Sequence, residues 1–439
     1  MEFPYNLGMR ILLACCVTIS AFVSLAGAQI VPVVPSDLAH WDKYGGSVSV
    51  DSGYLLVGSW HEDDKGSDAG AAYLFEVPTD ASMAGYELVK FTANNGKAGD
   101  LLGESVALQD GIALIGATGK DALGTNAGCA YLFDADPSSP TLGTQLAWLL
   151  PTGNDYDLIG CSVALDAGLA LVGAKLADVG AIDAGTAFVF DADPSSPTFG
   201  QALMQLIASD WGKGHNFGCS VSIADGLALV GAQFVVTTGG GSGAAYLFDV
   251  NPASPTFGVQ LAKFIATTGG SGDRFGISVS LNGGRALVGA PYHERPGFNR
   301  SKNEGAAYLF DADPSSATFG ALLANLLPAP TYPHHKGLGC SVSLDGRFAA
   351  VGSPWEAWPK PGKGKIPASG TTYVFDVDIN SPNFSKPHSR IQNAFPGYQD
   401  YFGDSVCIQN GVLAVGALED DTWKQEGGSV FVTRLVDVR

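Results

Sequence analysis

The side chains best suited to chemistry in this chain are its tryptophans and histidines, and they gather between the apolar runs rather than inside them. Six of the seven tryptophans (Trp41, Trp60, Trp211, Trp355, Trp358, Trp423) lie in polar connecting segments, and only Trp148 falls in an apolar run. Six of the seven histidines do the same: His40, His61, His215, His293, His334 and His335. The densest groups are Trp60-His61-Glu62-Asp63-Asp64, Tyr292-His293-Glu294-Arg295, Trp355-Glu356-Ala357-Trp358 and Glu419-Asp420-Asp421-Thr422-Trp423. Flat, rigid aromatic rings on connecting loops give contact area at low entropic cost, which is the chemistry of recognition. The candidate ligand-binding residues are Trp41, Trp60, His61, Tyr292, His293, Trp355, Trp358, Tyr398 and Trp423.

Catalytic and metal chemistry has less support. His61 with Asp63 and Asp64, and the pair His334-His335, lack the helical His spacing or Cys/His pattern of a zinc site. No Gly-x-Ser-x-Gly elbow and no Gly-Lys-Ser/Thr phosphate loop occurs. The reading therefore expects no catalytic residue, metal or cofactor. Glu104 and Asp404 hold equivalent places in a repeat, and two carboxylates suffice for glycosidase or lyase chemistry. A polysaccharide-acting enzyme is the alternative, and a purely structural envelope or matrix component is a third. An Asp recurs three residues before a glycine at Asp42, Asp100, Asp157, Asp273 and Asp400. Five copies suit a turn former better than a catalyst.

The elements that position these groups follow from a repeat. Seven times the chain reads aromatic or aliphatic residue, Gly, x, Ser, Val, then a polar turn, then Leu-Val-Gly-Ala or a variant, then Gly-Ala-Ala-Tyr-Leu-Phe or a variant. The first glycines are Gly45, Gly103, Gly160, Gly218, Gly276, Gly339 and Gly403, 57 to 64 residues apart. A fixed period marks a supersecondary unit that buries its apolar face only by stacking on its neighbours. Within one unit, Cys219 to Ile223 alternates as an inner strand and Asp225-Gly226 makes a tight hairpin. Leu227 to Ala232, Ala244 to Asp249 and Gln260 to Ile265 are the second, third and outer strands. The pattern predicts an all-β, seven-bladed β-propeller with four antiparallel strands per blade. Repeat cores span about 44–75, 102–133, 159–190, 217–248, 275–310, 338–375 and 402–432 within a single domain of residues 29–439. The seventh repeat lacks an outer strand, and Ile30 to Val34 is placed to supply it and close the ring.

Phe217-Gly218, Phe275-Gly276 and Phe402-Gly403, with Gly289-Ala290-Pro291 and variants such as Gly231-Ala232 and Gly352-Ser353-Pro354, make the repeat similar to the FG-GAP repeat of integrin α-chain heads and many secreted bacterial proteins. The resemblance implies a propeller and a binding or adhesion role. Integrin-type blades often carry an Asp-x-Asp-x-Asp-Gly calcium loop in the first turn. Here those turns are Asp110-Gly111, Asp166-Ala167-Gly168, Asp225-Gly226, Asn282-Gly283-Gly284, Asp345-Gly346 and Asn410-Gly411, with one carboxylate or none. Calcium takes six to eight oxygens, so calcium binding is not carried over.

The turns between second and third strands, and those from an outer strand into the next blade, emerge on one face. That face holds the tryptophans and histidines, chiefly on blades 5, 6, 7 and 1. The other face repeats Asp-Pro-Ser-Ser-Pro-Thr-Phe-Gly, as at Asp193 to Gly200, and reads as scaffold. The net charge of −19 and the absence of an offsetting basic cluster exclude nucleic acid as a partner. Arg10, the apolar run Ile11 to Leu25 and Ala26-Gly27-Ala28 read as a cleavable signal peptide over residues 1–28, with no stable membrane span. Five cysteines follow it, and an odd number argues for small buried hydrophobes rather than a disulfide framework. The sequence thus predicts a secreted or extracytoplasmic module that binds a glycan or a cell-surface protein.

Overall fold

A computed structural model describes residues 30–78, 85–151, 153–236, 243–268, 270–294, 303–328, 336–360, 364–393 and 395–435. The expected signal peptide and His334-His335 lie outside the described residues. Seven four-stranded antiparallel sheets follow one another around a ring, and the described residues contain no helix. Blade 4 is representative: Phe217–Ala224, Leu227–Ala232, Ala244–Asp249 and Gln260–Phe264 pair in that order. Its first hairpin turns through Asp225 at φ 55° and Gly226 at φ 75°, the left-handed pair that a two-residue hairpin requires. The last blade takes its outer strand from the start of the chain. Val31–Val33 pairs antiparallel with Ser429–Arg434, Val31 opposite Val432 and Val33 opposite Val430.

The repeated phrase is the contact between blades. The glycine of each Val-Gly-Ala segment has no room for a Cβ, because the carbonyl of the next blade's repeat glycine already fills that space. Gly58 meets Gly103 in this way, Gly231 meets Gly276, and Gly416 closes the ring on Gly45. The repeat glycines themselves sit at φ 88° to 97°, with a third-strand carbonyl of the preceding blade against their Cα. Two residues on, a serine hydroxyl donates across the same seam. Ser162 Oγ to Gly218 O is 2.8 Å, Ser220 to Gly276 O 2.8 Å, and Ser405 to Gly45 O 2.7 Å. A parallel bridge repeats at each boundary, from Gly70 to Leu102 round to Gly428 and Tyr44.

The apolar interior is accordingly divided among seven wedges, each between two neighbouring sheets. One joins blades 3 and 4 through Leu171, Val189, Phe217, Val230 and Tyr246. The closing wedge joins blades 7 and 1 through Val33, Tyr44, Tyr73, Val430 and Val432. Fully buried aromatics of this size contribute about 1.5–3 kcal/mol each, so every wedge cements a seam that no single blade could stabilise alone. Blade 6 adds an element that the repeat did not announce. Its long second loop folds into a small hairpin, Trp358–Lys360 against Gly364–Ile366.

Candidate functional site

The loop face is built on one recurrent frame. Three residues after each Val-Gly-Ala segment, a backbone carbonyl accepts the N–H of the glycine that opens the third strand. The seven positions are Glu62, Lys120, Ala177, Val235, His293, Glu356 and Asp420, bonded at 2.8 to 3.3 Å. All seven are buried. Ionisable side chains there need internal partners, and most have them. Lys120 Nζ lies 2.6 Å from Asp100, and Glu356 accepts Arg390 at 2.6 Å and the Tyr373 hydroxyl at 3.0 Å.

His293 belongs to this layer, which corrects its assignment as a surface ligand residue. It is 2% exposed, its Nδ1 is 2.9 Å from Asp273 Oδ2, and the Tyr308 hydroxyl lies 3.4 Å away. The position is interior in every blade, and a lone histidine beside Tyr292 gives no sign of that in sequence.

Two acidic groups on this frame need separate comment. Asp37, Glu62 and Asp64 converge, but the ammonium of Lys90 fills the space between them at 2.7, 2.8 and 2.5 Å. These three carboxylates raise the Lys90 pKa even though burial opposes the charge. In blade 7, Asp400 and Asp420 face each other, and among the described residues no cation lies between them. Asn393 Nδ2 reaches both, at 3.4 and 3.3 Å. Burial, helped by the charges of Asp420 and Asp421, pushes Asp400 up to about 7. The five repeated aspartates otherwise serve as turn formers, each accepting the N–H three residues before it, as at Ala39, Lys97, Asn154, Gly270 and Gly397.

At the mouth of the axis, the residues after each repeat glycine form an inner ring: Gly46, Glu104, Cys161, Cys219, Ile277, Cys340 and Asp404. Above it stand Trp60, Thr118, Lys175, Gln233, Pro291, Pro354 and Leu418, one after each second strand. Trp60 lies directly on Gly46, where any Cβ would overlap its ring. Thr118 Oγ1 donates to Glu104 Oε2. Burial, with Glu419 adding to it, raises Asp404 to about 6. Burial also pushes Cys219 up to about 12 and Cys407 up to about 11, so these thiols are poor nucleophiles.

The next layer outward is aromatic and cationic. The Arg274 guanidinium stands 5.3 Å from the Phe234 ring centroid and 4.5 Å from that of Tyr292. Tyr292 packs on Trp355 at 5.1 Å and 53°. Trp355 in turn lies over Gly337, whose missing Cβ makes room for the indole. Blades 4, 5 and 6 are thus joined by a continuous ledge. Across the mouth, Lys43 Nζ bridges Glu419 at 3.0 Å and Glu426 at 2.7 Å, and His61 Nδ1 lies 3.0 Å from Asp68.

Trp41 and Trp423 are each 48% exposed and Tyr398 is 66% exposed. Trp41 N donates to Gln425 O at 3.0 Å, which ties the Trp41 and Trp423 loops together, and Gln399 N donates to Pro367 O at 3.1 Å, which ties the Tyr398 loop to the long loop of blade 6. Trp60, His61, Tyr292, Trp355 and Trp358 are half-buried. Trp358 is paired with Ile366 in the blade 6 hairpin. The structure brings Tyr292 and Trp355 together, and Trp60 with His61 edge-on at 6.1 Å. Sequence reading missed Phe234 and Arg274, and it placed the aromatic loops chiefly on blades 5, 6, 7 and 1. Tyr156 at 56%, Ile182 at 56% and Trp211 at 47% exposure extend the apolar surface onto blades 3 and 4. The missed signal was positional. Phe234 occupies the same place after the second strand as Tyr292 and Trp355.

The opposite face is made of satisfied turns. Asp191 accepts the Ser196 and Thr198 hydroxyls and the Asp193 N–H. These hydroxyl bonds hold its carboxyl below the usual range against the effect of burial. Two clefts of about 520 and 480 Å³ open there, lined by the same repeated turns in adjacent blades.

A search among curated proteins finds no match to the chain. The sequence model of the FG-GAP repeat matches residues 28–75, 86–133, 202–248, 259–310 and 397–433, more than half of the chain. Each match runs through the Gly-x-Ser and Val-Gly-Ala segments that make the seams, and the unmatched blades 3 and 6 make the same glycine contacts. The chain belongs to the FG-GAP repeat family and folds as a seven-bladed propeller.

Proposed function

We propose that this propeller is an exported, non-enzymatic binding or adhesion module whose loop face recognises a glycan or a cell-surface protein. One observation carries the reading: Trp41, Trp211, Phe234, Tyr398 and Trp423 are 44% to 66% exposed, all on loops of one face. Large apolar groups kept in water on a hydrogen-bonded frame favour contact with a partner. Export rests on the apolar run Ile11 to Leu25 ahead of Ala26-Gly27-Ala28. On the other face Tyr86, Val259 and Ile379 are also exposed beside the Asp-Ser-Thr turns, but no tryptophan is among them, which favours the loop side.

The test is a panel of immobilised glycans and matrix proteins probed with the full chain and with the double variant Trp41→Ala/Trp423→Ala. Exposed tryptophans at the centre of a contact are worth about 2 kcal/mol or more each. The double variant is expected to lose at least 100-fold in affinity with an unchanged melting temperature. Binding equal to that of the parent protein would reject the loop face as the contact surface.

A further inference from the structure

Lys43, Lys90, Lys120, Lys263, Arg347 and Arg390 each have a carboxylate against them, and Arg285 donates to the Val377 and Gly346 carbonyls. Arg274 has neither kind of partner among the described residues. Among the described residues its guanidinium is in contact with the faces of Phe234 and Tyr292 and with no carboxylate. Aromatic faces hold a guanidinium flat without using its in-plane N–H donors. Those donors are what a bidentate carboxylate accepts.

The surroundings repeat the message. Gln233 follows the second strand of blade 4, and its Oε1 is shut off from solvent with no hydrogen-bond partner among the described residues. Half-buried Lys175 occupies the equivalent place in blade 3. The ledge continues through Tyr292 to Trp355.

We propose that the axial mouth between blades 3 and 6 is the acceptor site for an acidic oligosaccharide. Arg274 receives the sugar's carboxylate, Gln233 bonds a neighbouring hydroxyl, and Tyr292 and Trp355 provide the apolar surface for the ring. This rests on the recognition role proposed above and narrows it to uronate-bearing glycans. A sugar fits better than an acidic peptide because the ledge offers flat apolar area beside a single charge receptor. The charges of Arg274 and Lys175 would make the interaction salt-sensitive.

Calorimetric titration of the full chain with oligogalacturonate, and with a neutral glucose oligomer of equal length, tests the proposal. The acidic oligomer is expected to bind at least tenfold more tightly, and to weaken markedly between 25 and 300 mM NaCl. Arg274→Ala should lose at least tenfold for the acidic oligomer only, with Arg274→Lys intermediate because it keeps charge without the fork. Gln233→Leu should weaken the acidic oligomer as well. Should Arg274→Ala fail to fold, the Lys and Leu variants and the salt series decide the question. Equal binding of both oligomers, or an Arg274→Lys variant with unchanged affinity and salt response, would overturn the carboxylate receptor and leave glycan recognition standing. If neither oligomer binds while the glycan and protein panel still shows tryptophan-dependent capture, the acidic-sugar site is wrong and the loop face is not.

Discussion

At the scale of single residues, blade 7 departs most clearly from the common frame. Where blade 2 pairs Lys120 with Asp100 and blade 5 pairs His293 with Asp273, blade 7 sets Asp420 beside Asp400. Asp400 has a folded pKa of about 7 against about 3.9 in an unfolded chain. The fold therefore favours its protonated form. The resulting stability is fully present below about pH 4 and is lost as pH rises through about 7. Asn at this position imitates the protonated acid, so Asp400→Asn should gain in melting temperature relative to the parent as pH goes from 4 to 8. Parallel melting curves across that range would show that the pair does not titrate in this way. The turn aspartates act in the opposite direction: against the effect of burial, hydroxyl partners depress Asp134, Asp191, Asp249 and Asp311, and the Arg347 guanidinium, followed by Ser381, depresses Asp376. Their contribution is present above the unfolded value and is lost as pH falls through the folded one.

At the scale of strands and seams, two kinds of glycine have separable costs. Gly231 is crowded by the Gly276 carbonyl and the Ser220 hydroxyl, whereas Gly53 has open space around a left-handed backbone at φ 88°. Gly231→Ala must push two blades apart, and overpacking of this kind costs about 3 kcal/mol. Gly53→Ala meets only backbone strain, about 1 kcal/mol. Denaturant titration should resolve the two, and equal midpoints for the variants would contradict the seam as the origin of the repeat's glycines. The same contact explains why Gly-x-Ser and Val-Gly-Ala recur together: the serine donates to the very carbonyl against which the second glycine packs. The loops stand outside this glycine–serine contact and join neighbouring blades through backbone bonds instead, as Gly99 N to Ser67 O and Gly214 N to Ile182 O, which leave their side chains free to vary.

At the scale of the whole ring, closure depends on three residues of strand. Val31–Val33 covers the edge of Ser429–Arg434, and Val33 is 1% exposed in the closing wedge. Removing residues 30–34 should uncover that edge and open the wedge between blades 7 and 1. An unpaired edge templates association with other chains. The truncated protein is expected to melt well below the parent and to sediment as oligomers. A monomer of unchanged melting temperature would mean that the N-terminal strand is dispensable to closure. The closed ring also brings the loops of blades 7 and 1 together, through the bond from Trp41 N to Gln425 O.

Sequence alone determined the blade count, the strand order and the Velcro closure, because glycines and serines that recur at a fixed spacing report a contact that must recur seven times. It also placed Trp41, Trp423 and Tyr398 on an exposed loop face, since large aromatics next to turn residues have no strand to hide in. What tertiary structure decided is which neighbouring loop residues share one surface. His293 and Tyr292 are adjacent in the chain, yet one points into the polar layer beneath the loops and the other stacks on Arg274 and Trp355. Phe234, Arg274 and Trp355 come from three different blades, and their meeting depends on how far each blade is rotated about the axis. That rotation is set by backbone contacts between glycines, which carry no side chain to record it.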